Sequence, residues 1–76
     1  MRIHVVRKMP EAQFEVRENT ETHQFHFNLM APNGKIIATS ETYKDKQGCL
    51  DGIASVKLNA PRARIVDFTE TPPRIL

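Results

Sequence analysis

The side chains in this sequence that most often do chemistry are one cysteine and two neighbouring histidines, Cys49, His23 and His26. Cys49 lies near the start of a predicted helix, where the helix dipole can lower the pKa of a thiol. It also lies on the apolar stripe of that helix, and free cysteines on such stripes are usually small buried hydrophobes. We therefore interpret Cys49 as a structural residue.

The two histidines have the residue type of metal ligands but not the spacing. Residues three apart on an extended strand point to opposite faces, so His23 and His26 cannot easily converge on one ion. The chain has no second cysteine, and no cluster of carboxylates completes a zinc shell. We predict no metal site and no bound cofactor.

The hydroxyl and carboxylate side chains form no recognisable catalytic group. Ser40 and Ser55 lack the elbow or Ser-x-x-Lys context that activates a serine. Three carboxylates fit solvated strand and turn positions: Glu15, Glu18 and Glu21. The sequence therefore names no catalytic residue and leans away from an enzyme.

The chain is so short that it is expected to form only a thin core. Its 76 residues make one domain, and a domain of about 60 residues buries only about 60% of its unfolded surface. Small domains usually compensate with disulfides, a metal or oligomerisation. The single cysteine closes the first route within one chain, so we expect an oligomer.

Charge and hydropathy indicate a cytoplasmic protein with no membrane partner. No apolar run approaches the roughly 18 residues of a membrane span, and charged residues interrupt residues 1–8 too early for a signal peptide. The lone cysteine fits a reducing compartment. We therefore expect the protein in the cytoplasm.

Three stretches before the predicted helix have the alternation of β-strands: residues 14–17, 23–29 and 35–40. The second is the strongest, and one face of it carries Phe25, Phe27 and Leu29. These aromatic side chains are interpreted as core beneath a helix rather than as a base-stacking platform.

The turn before the third strand leaves the register open. Pro32 suits the first central position of a type I turn, with Gly34 as a left-handed bulge, while a two-residue Asn33-Gly34 turn is the alternative. A one-residue slip exchanges Ile36 for Ile37 on the core face. Either way, one large isoleucine points away from the core and needs cover.

Asp45 is the predicted N-cap of a helix over residues 46–59. Its apolar stripe consists of Cys49, Leu50, Ile53, Val56 and Ala60. Pro61 ends the helix, residues 64–68 form a last short strand, and residues 70–76 a frayed tail. The order β-β-β-α-β predicts an α+β fold, with an antiparallel sheet packed against one helix.

Several motifs occur here in a specific order and spacing. They are Phe14 with Val16, the Phe25/Phe27/Leu29 strand, Asn33-Gly34, Ile36-Ile37-Ala38-Thr39-Ser40-Glu41, Tyr43, Gly48-Cys49, Gly52-Ile53, Ser55-Val56-Lys57 and Asn59-Ala60. On these residues the chain resembles the YegP-like family of small, functionally uncharacterised, mostly bacterial proteins. The resemblance covers roughly residues 12–69. It leaves residues 1–11 as an N-terminal arm or edge strand.

The resemblance implies a β3-α-β unit that occurs as tandem repeats or as two copies in a homodimer. The two units share one sheet and exchange their C-terminal strands. One unit per chain implies the homodimer, and the short connection over residues 59–63, stiffened by Pro61, also favours strand exchange. The predicted dimer interface then contains Ile65, Val66 and Phe68.

The sequence therefore predicts a small homodimeric interaction or binding module of unknown biochemical role. Its expected partners are a second copy and an unidentified protein or small molecule. Two alternatives stay open, a weak nucleic-acid-binding protein and an enzyme or small-ligand site that forms only at the dimer interface.

We predict no specific nucleic-acid binding, because the net charge is only +2 and residues 23–29 contain no lysine or arginine. Fluorescence anisotropy with single- and double-stranded oligonucleotides at physiological salt should show no saturation up to micromolar protein. Saturable binding at micromolar or tighter affinity, weakening as salt rises, would contradict the prediction.

Overall fold

The structure is a computed structural model that describes residues 10–76, so residues 1–9 of the predicted N-terminal arm lie outside the described part. Its elements are β1 (Gln13–Asn19), β2 (Gln24–Met30), β3 (Ile36–Thr39), the helix α1 (Lys46–Asn59), a 3₁₀ turn (Ala60–Arg62), β4 (Val66–Asp67) and β5 (Arg74–Ile75). The first three strands form an antiparallel sheet in the order β1-β2-β3. The predicted α+β fold, an antiparallel sheet with one helix, is confirmed.

The first hairpin sets which side chains face the helix. Residues directly opposite each other in an antiparallel pair share a face of the sheet. Phe14 lies opposite Leu29, and Val16 lies opposite Phe27. These apolar pairs make up the inner face of the sheet, towards α1, and the alternate residues of β1 and β2 make up its outer face.

The turn between β2 and β3 follows the first of the two expected patterns. The Gly34 N–H donates to the Ala31 carbonyl at 2.9 Å, which closes a turn with Pro32 at its first central position. Gly34 has a φ of 85°, a left-handed conformation that glycine adopts at little cost. The Ala31 N–H then donates to the Lys35 carbonyl at 2.8 Å and starts the ladder with β3.

A β-bulge shifts the register at the start of β3. Ala38 lies opposite Leu29, but the next pair is Ile36 with Met30, so Ile37 is an extra residue. Ile36 is 56% exposed and Ile37 is 60% exposed. The sequence predicted one isoleucine in the core and one outside it, yet both are largely uncovered within one chain.

A second irregularity follows β3. The Ser40 N–H donates to the Phe27 carbonyl at 2.9 Å, and the Phe27 N–H donates to Ser40 Oγ, also at 2.9 Å. The next backbone pair is Phe25 with Tyr43, bonded in both directions at 2.7 and 2.9 Å. Two residues, Glu41 and Thr42, therefore stand against one residue of β2, and Tyr43 arrives on the inner face.

The helix begins where the sequence predicted. Asp45 has extended backbone geometry, and its Oδ1 accepts the Gly48 N–H at 2.7 Å. An N-cap of this kind satisfies one of the orphan donors of the first turn. After Asn59 the chain continues as a 3₁₀ turn that contains Pro61, which has no N–H to continue the helix.

The core is small and centres on Phe27 and Cys49. Within residues 10–76 these are the only buried hydrophobic side chains, at 6% and 0% exposure. The Phe27 ring meets Phe14 edge-on at 5.7 Å between centroids and stacks on Tyr43 at 6.3 Å. The helix crosses this cluster at Gly52, where a methyl group would lie 2.8 Å from Cζ of Tyr43 and nearer still to its hydroxyl oxygen.

We predict that Gly52→Ala destabilises the protein. Alanine favours the helix by about 1 kcal/mol, but the new methyl overpacks the Tyr43 contact, and overpacking costs about 1–3 kcal/mol. The free energy of unfolding, from urea titrations at one protein concentration, should therefore fall. Adding Tyr43→Phe should recover part of the loss.

Gly48→Ala in the same helix is the matched control, because its methyl meets nothing nearer than Asp45 Oδ1 at 3.2 Å. If Gly52→Ala proves as stable as Gly48→Ala, the Tyr43 contact does not limit how the helix packs.

Candidate functional site

Cys49 sits at the centre of the core, in contact with neither solvent nor a second cysteine. Its side chain is completely buried. Burial raises the pKa of the Cys49 thiol, because the thiolate would lose its hydration. A thiol in this state is a weak nucleophile, which supports the structural interpretation.

The two histidines of the sequence analysis do not lie on one strand. His23 is in the turn before β2, with a φ of 58°, and its Nδ1 is 3.5 Å from Glu18 Oε2. His26 lies on the outer face of β2, opposite Arg17. Within residues 10–76, no three histidine, cysteine or carboxylate side chains are grouped to hold a metal ion.

The outer face of the sheet carries two bonded groups of polar side chains that lie next to each other. The Glu15 carboxylate accepts bonds from Gln13 Nε2 at 2.9 Å and from Arg17 at 2.7 Å. Glu15 lies opposite Asn28, whose Oδ1 accepts the Thr39 hydroxyl at 2.9 Å. The first two bonds order three side chains along β1, and the third joins β2 to β3 beside them.

Glu15 differs from its expected environment. The sequence suggested a solvated carboxylate, but the Glu15 side chain is only 14% exposed. The polar residues at every second position of β1 were the available signal, since such residues share a face. Sequence alone did not show that they also bond to one another.

The aromatic residues of β2 face the helix, as the core interpretation expected. Phe27 is buried, and Phe25 is half-buried on the same face. In this arrangement neither ring is presented as a platform for bases. The described part of the chain also contains no pocket.

The feature that stands out is uncovered apolar surface. Nine large hydrophobic side chains are between 40% and 77% exposed: Ile36, Ile37, Leu50, Leu58, Ile65, Val66, Phe68, Ile75 and Leu76. The described residues thus expose more large apolar side chains than they bury. Exposed apolar patches of this kind mark interaction surfaces.

One part of this surface is the outer edge of β3. No Cα atom of α1 lies within 8 Å of one in β3, and all four residues of the strand are exposed. The strand consists of two isoleucines, an alanine and a threonine. It therefore lacks the charged residues or prolines that usually protect a sheet edge from pairing with another chain.

A second part is a hairpin formed by β4 and β5, and the remaining two residues, Leu50 and Leu58, lie on α1. No Cα atom of either strand lies within 8 Å of one in α1 or the three-stranded sheet. Each strand has only two residues, and an isolated two-stranded hairpin is marginally stable in water. The hairpin therefore needs a surface that its own domain does not supply.

This hairpin differs from the C-terminal strand expected at residues 64–68. The regular strand is shorter, and residues 70–76, expected to be a frayed tail, contain β5. The Leu76 N–H donates to the Ile65 carbonyl at 2.9 Å, which closes the ladder. Ile65, Val66 and Phe68 are 64%, 42% and 77% exposed, so they are available for the predicted interface, which itself stays a prediction.

Asp67 shapes the turn of the hairpin. Its carboxylate accepts the hydroxyl and the backbone N–H of Thr69, and both bonds lower the pKa of Asp67. A lowered pKa in the folded state means that the bonds stabilise the turn above the ordinary pKa of the carboxyl. This stabilisation is lost as the pH falls through the lowered value.

Comparison with known proteins identifies relatives but no activity. The family described as "Domain of unknown function (DUF1508)" matches residues 21–67. A UPF0339 protein of Methanosarcina acetivorans is 51% identical over 55 residues, which are 72% of this chain and 93% of that protein. A UPF0339 protein of Treponema denticola is 46% identical over the same shares. No solved structure matches the chain.

Other relatives are longer. The UPF0339 protein YegP of Yersinia pestis is 43% identical over 54 residues, which are 71% of this chain but only 47% of that protein. The resemblance to the YegP-like family is therefore confirmed, and relatives occur with about one or about two lengths of the matched segment. Among the described residues, no helix is long and apolar enough to cross a membrane.

We predict that the folded protein reacts slowly with a thiol reagent, because Cys49 is buried and its thiol has a raised pKa. Labelling should accelerate on unfolding. The variant Ala54→Cys has a second thiol at an exposed helix position. One equivalent of reagent should react fast at this position and a second equivalent slowly at Cys49. Fast labelling of the unaltered protein would contradict the structural interpretation.

Proposed function

Because this chain belongs to the DUF1508 family of unknown function, whose YegP-like pattern it carries, we propose that it is a homodimeric interaction module. In the proposed dimer each copy donates its C-terminal segment to the other. One observation carries the proposal: the β4–β5 hairpin is apolar, yet it lies away from the helix and the sheet of its own chain.

The same chain supplies an acceptor for this segment. β3 has an open edge, no helix over it, and two isoleucines that are more than half exposed. In a two-fold dimer the donor of one copy covers the acceptor of the other, and the reverse contact forms at the same time. The two reciprocal contacts of one dimer would thus cover the hairpin and β3 in both chains.

The connection between helix and hairpin suits such an exchange. The 3₁₀ turn at Ala60–Arg62 follows α1 directly, and the Ala63 backbone is extended, with a φ of −69° and a ψ of 131°. Pro61 stiffens this connection. It therefore leads the chain away from its own sheet rather than back across it, and hinges of this kind favour exchange between copies.

The lengths of the relatives support the pairing of two units. The chain matches 46% of a UPF0339 protein of Pseudomonas aeruginosa and 47% of YegP from Yersinia pestis. A chain with room for two units can pair them within itself. Two copies of the single unit in the described residues would form the same arrangement.

The biochemical role is that of a binding module rather than a catalyst. The dimer would leave the outer face of the sheet, with its bonded groups at Glu15 and at Asn28, open to a partner. We place the module in the cytoplasm, because a free buried thiol and no disulfide fit a reducing compartment.

We predict a mass of twice 8.7 kDa in sedimentation equilibrium at micromolar protein. Val66→Asp and Phe68→Asp should each shift the equilibrium to monomer, because a charge would be buried without a partner. Each of the side chains Ile65, Val66 and Phe68 contributes about 1.5–3 kcal/mol when fully covered. Removal of residues 61–76 should therefore abolish the dimer and most of the stability.

Thr20→Asp is the control, since this exposed residue lies in the turn between β1 and β2, far along the chain from either surface. It should leave the dimer intact. A folded monomer of the unaltered protein at micromolar concentration would rule the proposal out.

A further inference from the structure

The C-terminal strand of the family segment has a partner strand from outside that segment. The match to the family ends at residue 67, and β5 (Arg74–Ile75) follows it. Val66 lies opposite Ile75, and Asp67 lies opposite Arg74. The tail beyond the family match is therefore paired, in register, with the strand that the proposed dimer exchanges.

Both faces of this hairpin carry exposed apolar side chains. Val66 and Ile75 share one face, at 42% and 57% exposure. Ile65 and Leu76, joined by a backbone hydrogen bond, share the other, at 64% and 66%. The charged pair Asp67 and Arg74 lies on this second face, because side chains alternate along each strand. The face with Val66 and Ile75 is therefore the one best suited to burial, and the second face is apolar only at its Ile65–Leu76 end.

The hydrogen-bond pattern leaves one edge of β4 open. Ile65 and Leu76 form a hydrogen-bonded pair, so the alternation of the antiparallel ladder makes Val66 and Ile75 a pair without backbone bonds. The N–H and carbonyl of Val66 therefore point away from β5. The same alternation applies to β3. Ser40 and Phe27 are joined by a backbone hydrogen bond, so the neighbouring pair Thr39 and Asn28 has none. The N–H and carbonyl of Thr39 therefore point away from β2, to the open edge of β3.

We propose that each chain donates the whole hairpin, β4 together with β5, to its second copy. The open edge of β4 pairs with the open edge of the partner copy's β3, and Ile75 and Leu76 become buried with Ile65 and Val66. The inference rests on the proposed homodimer and adds to it an interface surface from the tail beyond the family match.

The second strand also explains how the assembly stops at two copies. A lone exchanged strand would present its far edge to a further chain, whereas here β5 occupies that edge. Its own outer edge is short, is preceded by Pro72 and Pro73, and carries Arg74. Prolines and charges on a short edge strand prevent further pairing.

A second copy fits this surface better than an unrelated partner, because the chain itself carries the complement. The two isoleucines of β3 and the C-terminal residues 65–76 hold seven of the nine exposed large hydrophobic side chains of the described residues. Each has an open backbone edge. Joining them in a two-fold dimer leaves neither group exposed in either copy.

The test is the double variant Ile75→Ser/Leu76→Ser, measured by sedimentation equilibrium over a range of protein concentrations. Four apolar side chains are lost per dimer, so the dissociation constant should rise about a hundredfold or more. Thr20→Asp, the exposed change in the turn between β1 and β2, is the control and should leave the constant unchanged.

The outcomes separate the two proposals. An unchanged dissociation constant for Ile75→Ser/Leu76→Ser, with Val66→Asp monomeric, overturns the hairpin inference and leaves the homodimer standing. A folded monomer of the unaltered protein overturns both. Far-UV circular dichroism and slow Cys49 labelling test whether each variant keeps its fold, since Cys49 is buried only in the folded core.

Hydrogen–deuterium exchange gives an independent readout of the pairing. The Val66 amide should exchange slowly in the dimer, because it donates to the partner copy's β3, and fast in the Ile75→Ser/Leu76→Ser variant. A Val66 amide that exchanges at the rate of an open chain in the intact dimer would overturn the inference.

Discussion

The close approach of the helix to the Tyr43 ring governs the packing of this domain. Tyr43 is held from one side by stacking on Phe27 and meets the backbone of α1 at Gly52. Because a side chain at Gly52 would collide with the ring, the helix can lie this close only with glycine there. Cys49, one turn earlier, is then completely enclosed. The core is narrow, and the helix covers β1 and β2 but not β3.

Because α1 covers only β1 and β2, the third strand of the sheet has no cover from the described residues of its own chain. A helix of 14 residues centred over two strands leaves the third strand bare on the helix side, and no other element of the described residues fills the space. The C-terminal hairpin has the apolar residues to do so but sits elsewhere. Within one chain, the hairpin has enough apolar side chains to cover β3, but the path of the backbone keeps the two apart. Because both elements keep uncovered apolar surface, the small core of one chain favours association.

Local patterns predicted the elements whose causes are local. The N-cap at Asp45, the helix from Lys46 to Asn59 and the glycine turn at Gly34 each depend on a few neighbouring residues, and the structure has them. The facing of Ile36 and Ile37 could not be predicted, because a bulge is decided by the hydrogen bonds of the partner strand. Likewise, β5 forms by pairing with β4 across an intervening segment. That segment contains Pro72 and Pro73, and prolines at the end of a chain indicate a tail rather than a strand. Alternation along β1 shows which face Glu15 lies on but not that Gln13 and Arg17 bond to its carboxylate.

The bulge at Ile37 within β3 and the second bulge, at residues 41 and 42, have a joint consequence for how the residues between them alternate. Each inserts one residue, and each insertion exchanges the inner and outer positions that follow it. Between the bulges the even-numbered residues Ala38 and Ser40 face the helix, but beyond the second the odd-numbered Tyr43 does. The two exchanges cancel, so Ile36 and Tyr43 lie on opposite faces, as they would in a regular strand. Deleting one residue from either bulge would turn Tyr43 away relative to Ile36, whereas deleting one from each would keep both residues on their present faces with a straighter strand between them.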